Sequence, residues 1–217
     1  MLPNYLQQIP NVLNPDQQRT QEWFEQRRGR VTASEVFKVL TKGKGDKPSK
    51  TRRSYAVKLA SERITGVPSE SIDTLAMAWG REQEEHAVKE FETKYGLKVE
   101  SVGFIKGDGE YGVSPDGFVS DGGLIETKCK NSENHLEIIL TGEMPEEHKP
   151  QVQMQMMVTG RKHCYFVSYD PRYVDEHLRL FVVKVERDDE YIAMLKVEIE
   201  KFLVEVDEIV DSLRKLK

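Results

Sequence analysis

Ser114-Pro115-Asp116-Gly117-Phe118-Val119, followed by Leu124-Ile125-Glu126-Thr127-Lys128, is the stretch whose reading decides the fold. Pro115 presets φ and Gly117 tolerates positive φ, so the two predict a turn that holds Asp116 between them. In the strand that follows, side chains alternate. Leu124, Glu126 and Lys128 therefore share one face, and Ile125, Thr127 and Cys129 the other. Two carboxylates and a lysine meet at the end of a hairpin. Oxygen ligands of this kind suit Mg²⁺, and a lysine beside such a site suits phosphodiester hydrolysis. The competing reading is a solvated turn with Glu126 and Lys128 as a surface pair. The spacing, the turn chemistry and the apolar flanks agree on the first.

Upstream of the hairpin, Asp73 to Tyr95 predicts one long helix, or two joined near Gly80. Ala76, Gly80, Ala87, Val88, Phe91 and Tyr95 fall on one stripe at helical spacing. Glu84 lies on that stripe, one turn before Val88, whereas Glu82, Glu85, Lys89 and Glu92 point mainly away. A carboxylate on an apolar face needs a metal, a buried cation or a route to water. His86, off the stripe, reads as a surface histidine. Nearer the N-terminus, Asn14 and Pro15 start a helix that carries Trp23 and Phe24 inward and stops near Gly29. Arg27 and Arg28 close it, with Arg30 just beyond. Thr32-Ala33-Ser34-Glu35 is a capping box opening a second helix, with Val36, Phe37 and Leu40 on one face. Three arginines beside a fresh helix N-terminus form either an anion site or a solvated helix end, and both readings stand. Another helix follows from about Thr51 to Gly66, with Tyr55 and Leu59 inward.

Downstream, Leu97 to Lys106 predicts the first strand, and Tyr111 to Val113 leads into the Pro115 turn. A short helix covers about Glu133 to Leu140. After Pro150 a second carries Gln151, Gln153 and Gln155 among Val152, Met154, Met156 and Met157. These glutamines are either core edge, or one or two of them reach the site and hydrogen-bond phosphate or water. His163 to Tyr169 and Leu178 to Val185 predict two more strands, the second with a Leu180–Val183 run that suggests burial on both faces. From about Asp189 onward a long amphipathic helix presents Ile192, Leu195, Ile199, Phe202, Leu203, Val206, Ile209, Val210 and Leu213. Helices, a strand cluster, a helix, strands and a helix make an α/β sandwich around a mixed central sheet.

With 217 residues and no repeat, the chain reads as a single domain, 1–217, long enough to bury a real core. No run of about 18 apolar residues spans a membrane, and no signal-peptide pattern opens the chain. Two cysteines, Cys129 and Cys164, are too few for a cluster site and fit a reducing cytosol. A formal net charge of −5 weighs against broad, non-specific nucleic-acid binding but leaves room for a local basic channel.

Asp116 with Glu126-Thr127-Lys128 resembles the PD-(D/E)XK nuclease motif. The wider chain, from about Thr20 to the C-terminal helix, resembles the phage lambda exonuclease (YqaJ-type) family of viral recombination nucleases. The matching stretches, in order, include Val31-Thr32-Ala33-Ser34-Glu35, Ala78-Trp79-Gly80, Gln151-Val152-Gln153, Tyr169-Asp170-Pro171-Arg172 and Glu186-Arg187-Asp188. The resemblance implies a restriction-endonuclease-like core and a 5′→3′ exonuclease acting on double-stranded DNA ends. Such an enzyme releases mononucleotides and leaves a 3′ overhang. It also implies two Mg²⁺ ions, with Mn²⁺ a possible substitute, held by Glu84, Asp116, Glu126 and the Thr127 carbonyl. Lys128 would act on the attacking water, with Gln153 beside the site and Gln151 as a further site-lining candidate. Arg27, Ser34 and Ser114 fall where the family holds the terminal 5′-phosphate, the first two on an N-terminal helical part of about residues 14–66 that contributes to the DNA and phosphate site. The remaining implications are a homotrimeric ring, a phage-type single-strand annealing partner, no membrane, and a phage or prophage origin in a bacterial cytoplasm. A structure-specific or restriction-type endonuclease and a catalytically silent DNA-binding subunit are the rival readings. Glu85 directly after Glu84 departs from the pattern, so the choice between them rests on the helical stripe. The Lys42–Lys50 loop, rich in glycine and lysine, has an open role.

Overall fold

The computed structural model describes residues 20–44, 49–69 and 75–216. The expected helix start at Asn14-Pro15, the first residues of the Asp73 helix and the centre of the Lys42–Lys50 loop lie outside these residues.

The hairpin forms, but not with the turn expected. Strands β4 (Tyr111–Val113) and β5 (Gly117–Val119) flank a bend at Pro115-Asp116, in which Gly117 already belongs to the strand and has no positive φ. The turn from β5 to β6 (Leu124–Lys128) places its left-handed residue at Gly122. β5 and β6 pair antiparallel, with Gly117 opposite Ile125 and Phe118 opposite Leu124. Continuing that register by one step sets Asp116 opposite Glu126. β6 then pairs parallel with β7 (His163–Tyr169), and β7 antiparallel with β8 (Leu180–Glu186). Together with β2 (Val99–Glu100) these form a five-stranded mixed sheet of order β2-β5-β6-β7-β8. A second, three-stranded sheet runs β1 (Val31–Thr32), β4, β3 (Ile105–Lys106).

Three further expectations are corrected here. The single strand expected over Leu97–Lys106 is broken into β2 and β3, one in each sheet. Val102 and Phe104 are fully buried between them, with Phe104 so close over Gly112 that a Cβ there would lie 2.3 Å from its ring. The capping box at Thr32 does not form either. Val31 and Thr32 are drawn into parallel pairing with Tyr111 and Gly112, and Thr32 makes no side-chain cap. Only a three-residue 3-10 turn, Ala33–Glu35, follows it, ahead of the four-residue helix α2 (Phe37–Leu40). Glu35 pairs with Lys38 and Lys58 instead. The double-sided burial expected for Leu180–Val183 is limited to Leu180, because β8 is an edge strand and Phe181, Val182 and Val183 stay half-buried.

Helices cover both faces of the main sheet. α4 (Leu75–Tyr95) packs Ala87 and Phe91 on Val119, Ile125 and Val167. On the other face, α6 (Lys149–Thr159), α3 (Lys50–Thr65) and α7 (Asp189–Arg214) join Leu124, Cys164 and Phe166 in one continuous core. The expected stripe of α7 supplies Ile192, Leu195, Ile199, Phe202, Val206 and Val210 to that core. α5 (Ser132–Thr141), capped by Asn131, follows β6 directly. The alternation along β6 thus aims Leu124 and Glu126 at α6, and Ile125 at α4. Among the described residues no helix is long and apolar enough to cross a membrane.

Candidate active site

Asp116, Glu126 and Lys128 converge at one end of the sheet. Asp116 Oδ2 accepts from the Thr127 amide at 2.6 Å and from Thr127 Oγ1 at 2.8 Å. Lys128 Nζ stands 2.5 Å from Glu126 Oε1. Glu126 is buried, so its charge has to be satisfied inside the protein. Two amides of α6 do this together with Lys128: Gln151 Nε2 donates to Oε1 at 2.6 Å, and Gln155 Nε2 to Oε2 at 2.5 Å.

Gln153 is not at this site, which corrects the expectation from sequence. Its Nε2 donates to the Glu186 carbonyl at 2.9 Å, and its Oε1 accepts from the Asp188 amide at 2.9 Å. Residues two apart on a helix face nearly opposite ways, while residues four apart share a face. Gln151 and Gln155 therefore reach Glu126 together, and Gln153 ties down the start of α7. The sequence reading named Gln155 only as one of three glutamines, although the i, i+4 spacing already grouped it with Gln151 and not with Gln153.

The electrostatics favour a cation here. Burial, then the charges of Glu126 and Glu84, push the Asp116 carboxyl up to about 8, against the pull of Lys128 and the Thr127 amide. Burial works against the Lys128 ammonium, but Glu126 and Asp116 outweigh it and hold its pKa above the usual value. Glu84, half-buried on α4, lines the same cleft as Thr127 and Lys128, while Glu85 is exposed and pairs with Lys89 at 2.6 Å. Among the described residues no three His, Cys, Asp or Glu side chains already form a metal cage. The donor set nevertheless fits a hard divalent cation: oxygen-only, acidic, and mutually repelling without one. Glu126 Oε1 would have to exchange Lys128 or Gln151 for it.

The cleft, of about 1030 Å³, runs from this end to the arginines of the N-terminal segment. α1 (Gln21–Arg27), capped by Thr20, ends in Arg27. The Arg27 guanidinium lies 4.0 Å over the Trp23 ring, with Nη1 3.4 Å from Ser114 Oγ and Nη2 3.5 Å from Ser34 Oγ. The structure thus brings Arg27, Ser34 and Ser114 together. Trp23 Nε1 also donates to Ser114 Oγ, at 3.1 Å. With two donors on its oxygen, the Ser114 hydroxyl is left to donate its own proton elsewhere. Burial lowers the Arg27 pKa to about 10, so the group stays cationic at neutral pH. Arg28 is held by the Gly66 carbonyl and Glu25, and Arg30 by Glu110 and the Gln26 carbonyl. Buried Glu62 accepts from the Gly29 amide at 2.7 Å and fixes the turn between them.

Trp79 and Arg172 brace the walls. The Arg172 guanidinium stacks 4.6 Å over Trp79 at the start of α4, pairs with Asp170 and donates to the Lys130 carbonyl at 3.2 Å. The motif stretches around Trp79 and Tyr169-Asp170-Pro171-Arg172 therefore clamp α4 to the exit of β6.

Known proteins share this architecture. Crystal structures of the alkaline exonuclease LHK-Exo from Laribacter hongkongensis, one of them in complex with dAMP, superpose with a TM-score of 0.83 at 40% identity. The match covers 90% of this chain and 97% of that one. A phage-related exonuclease from Haemophilus somnus 129PT shares the fold, with a TM-score of 0.65 at 18% identity over 85% of this chain and 96% of that one. The α/β, restriction-endonuclease-like core implied by the sequence is the observed one. The Escherichia coli (strain K12) protein ExoD is 38% identical over 58 residues, 27% of this chain and 64% of that protein, so the chain spans less than two thirds of it. The model of the YqaJ-like viral recombinase domain matches residues 22–162, and this chain belongs to that family.

Proposed function

We propose that the protein is a Mg²⁺-dependent 5′→3′ exonuclease of double-stranded DNA ends that releases mononucleotides and leaves 3′ overhangs. One observation carries the reading: a single cleft is lined at one end by Glu84, Thr127 and Lys128, which contact or neighbour Asp116 and Glu126, and at the other by Arg27 and Ser34, with Ser114 bonded to Arg27. A centre of negative charge paired with an anion cup is what cleavage measured from a terminal phosphate requires. The LHK-Exo complex with dAMP supports a mononucleotide product.

Asp116, Glu126, Glu84 and the Thr127 carbonyl are the groups that would hold two divalent ions, Mg²⁺ or in its place Mn²⁺. When bound, these supply a nucleophile at neutral pH and charge for the leaving oxygen. Lys128 places an ammonium where negative charge develops on the scissile phosphate, an effect commonly worth about 10²–10³ in rate. Gln151 orients Glu126 from α6. Arg27, with Ser34 and Ser114, binds the 5′-phosphate, and each cleavage exposes a new one that the same cup draws forward. The chain acts as one domain, with residues of about 14–66 supplying the phosphate side. A homotrimeric ring around the duplex keeps an acidic protein on a polyanion, and a phage-type single-strand annealing protein receives the overhang. The setting is the cytoplasm of a bacterium, with a phage or prophage gene.

Linear duplexes labelled at either end, with a 5′-phosphate or a 5′-hydroxyl, test this against covalently closed circles, with and without EDTA. Mononucleotides released from 5′ ends only, faster with phosphate and abolished by EDTA, are expected. Cleavage of closed circles would replace the reading with an endonuclease, and binding without cleavage with a silent DNA-binding subunit.

A further inference from the structure

We infer that Gln155 is a positioning residue for the proposed metal centre. It holds one oxygen of Glu126 so that the other is presented to the cation. The inference rests on the reading that Glu126 is a metal ligand.

Gln155 is fully buried in α6, between Met154 and Met156, both themselves fully buried. A side chain chosen for packing alone would be apolar here. Its Nε2 donates to Glu126 Oε2 at 2.5 Å, but its Oε1 is buried with no hydrogen-bond partner. Orphaning a buried carbonyl is costly, so the amide has to be compensated by what its other end does. A flipped amide would set a carbonyl against a carboxylate, so Glu126 fixes its orientation. Gln155 also differs from the other two groups on Glu126. Gln151 and Lys128 both sit on Oε1, both are only half-buried, and Lys128 lines the cleft, so a ligand can displace them. Among the described residues Gln155 alone occupies Oε2, from inside the core. Oε2 is therefore committed to the protein and Oε1 is the exchangeable oxygen, which makes Glu126 a single-oxygen ligand of fixed direction. Gln155 itself touches neither substrate nor reacting atoms.

The test is titration calorimetry of the full chain with Mg²⁺, comparing the parent, Gln155→Met and Asp116→Ala, alongside steady-state kinetics on a 5′-phosphorylated duplex. Groups that orient a metal ligand commonly contribute about 10- to 100-fold in metal affinity. Gln155→Met should weaken Mg²⁺ binding by that factor and leave KM for DNA unchanged, with kcat recovering as Mg²⁺ is raised. If this variant does not fold, Gln155→Asn keeps the amide but withdraws it by one methylene, and the same loss is expected. Mg²⁺ affinity within twofold of the parent, in a folded variant, overturns the inference even if thermal stability drops. Failure of the underlying reading looks different: the parent would not bind Mg²⁺, or Asp116→Ala would bind it equally well.

Discussion

The two ends of the cleft are built by opposite routes. The carboxylate end comes from one hairpin: the Pro115-Asp116 bend, the Gly122 turn and a five-residue strand bring Asp116, Glu126 and Lys128 together within one short stretch of chain. The arginine end is assembled from three separated pieces, with Arg27 closing α1, Ser34 in a 3-10 turn and Ser114 before the hairpin. Nothing local fixes their meeting. It depends on Val31-Thr32 pairing with Tyr111-Gly112 and on Glu62 holding Gly29. The first end is rigid by sequence, the second by tertiary contact, so damage to each should look different.

The largest expected effect separates chemistry from end recognition. Lys128→Ala should lower the cleavage rate by about 10²–10³-fold, equally on phosphorylated and unphosphorylated ends. A normal rate in this variant would remove Lys128 from the chemistry. Within the same end, Glu84→Gln should cost more than about tenfold in Mg²⁺-dependent activity, the least that groups merely supporting a ligand cost. Glu85→Gln, at an exposed pair, should be nearly silent. The reverse ranking would mean that α4 presents the other acid.

At the opposite end, Arg27→Ala should erase a preference of about 10- to 100-fold for 5′-phosphorylated ends, the worth of a charge-assisted bond, while Mg²⁺ binding stays intact. Initial rates on paired phosphoryl and hydroxyl duplexes measure it. A retained preference would shift the role away from Arg27, although Arg28 and Arg30 are already engaged elsewhere.

A pH series sharpens the comparison further. Asp116 has a folded pKa raised from 3.8 to about 8, so in EDTA the folded state keeps a proton that the unfolded chain releases. Stability should therefore fall as pH rises between those values. Thermal melts should show the slope, Asp116→Asn should flatten it, and Mg²⁺ should reduce it. The smallest effect belongs to Gln153→Ala: about 1–3 kcal/mol of stability lost with two backbone contacts, and no change in rate or in end preference. A rate defect at unchanged stability would return Gln153 to the active site.

Legibility in the sequence followed the same division. Period-two alternation placed Glu126 and Lys128 correctly, and period 3.6 placed Glu84 inward and Glu85 outward. The same helical period, applied to α6, separates Gln151 and Gln155 from Gln153, but the family resemblance drew attention to Gln153 instead. What failed was long-range. Thr32 carries every local mark of a helix cap, yet pairing with β4 and the Tyr55 hydroxyl claims its backbone. Likewise Leu97–Lys106 has strand composition throughout, and only the presence of two sheets reveals where it breaks. Arg27, Ser34 and Ser114 were grouped through the family resemblance, because residues 87 apart carry no local sign of contact.

α7 contributes no residue to the cleft lining, yet it underpins one end of it. Phe202 stacks on Tyr55 at 5.3 Å, and the Tyr55 hydroxyl accepts from the Thr32 amide, two residues from Ser34. Arg52 and Arg63 of α3 reach across to Glu205 and Asp207. Through Phe202, Glu205 and Asp207 the C-terminal helix is thus a foundation for the arginine end of the cleft. On the proposed function, loosening it at Glu205 and Asp207 should weaken the preference for phosphorylated ends more than the cleavage rate itself.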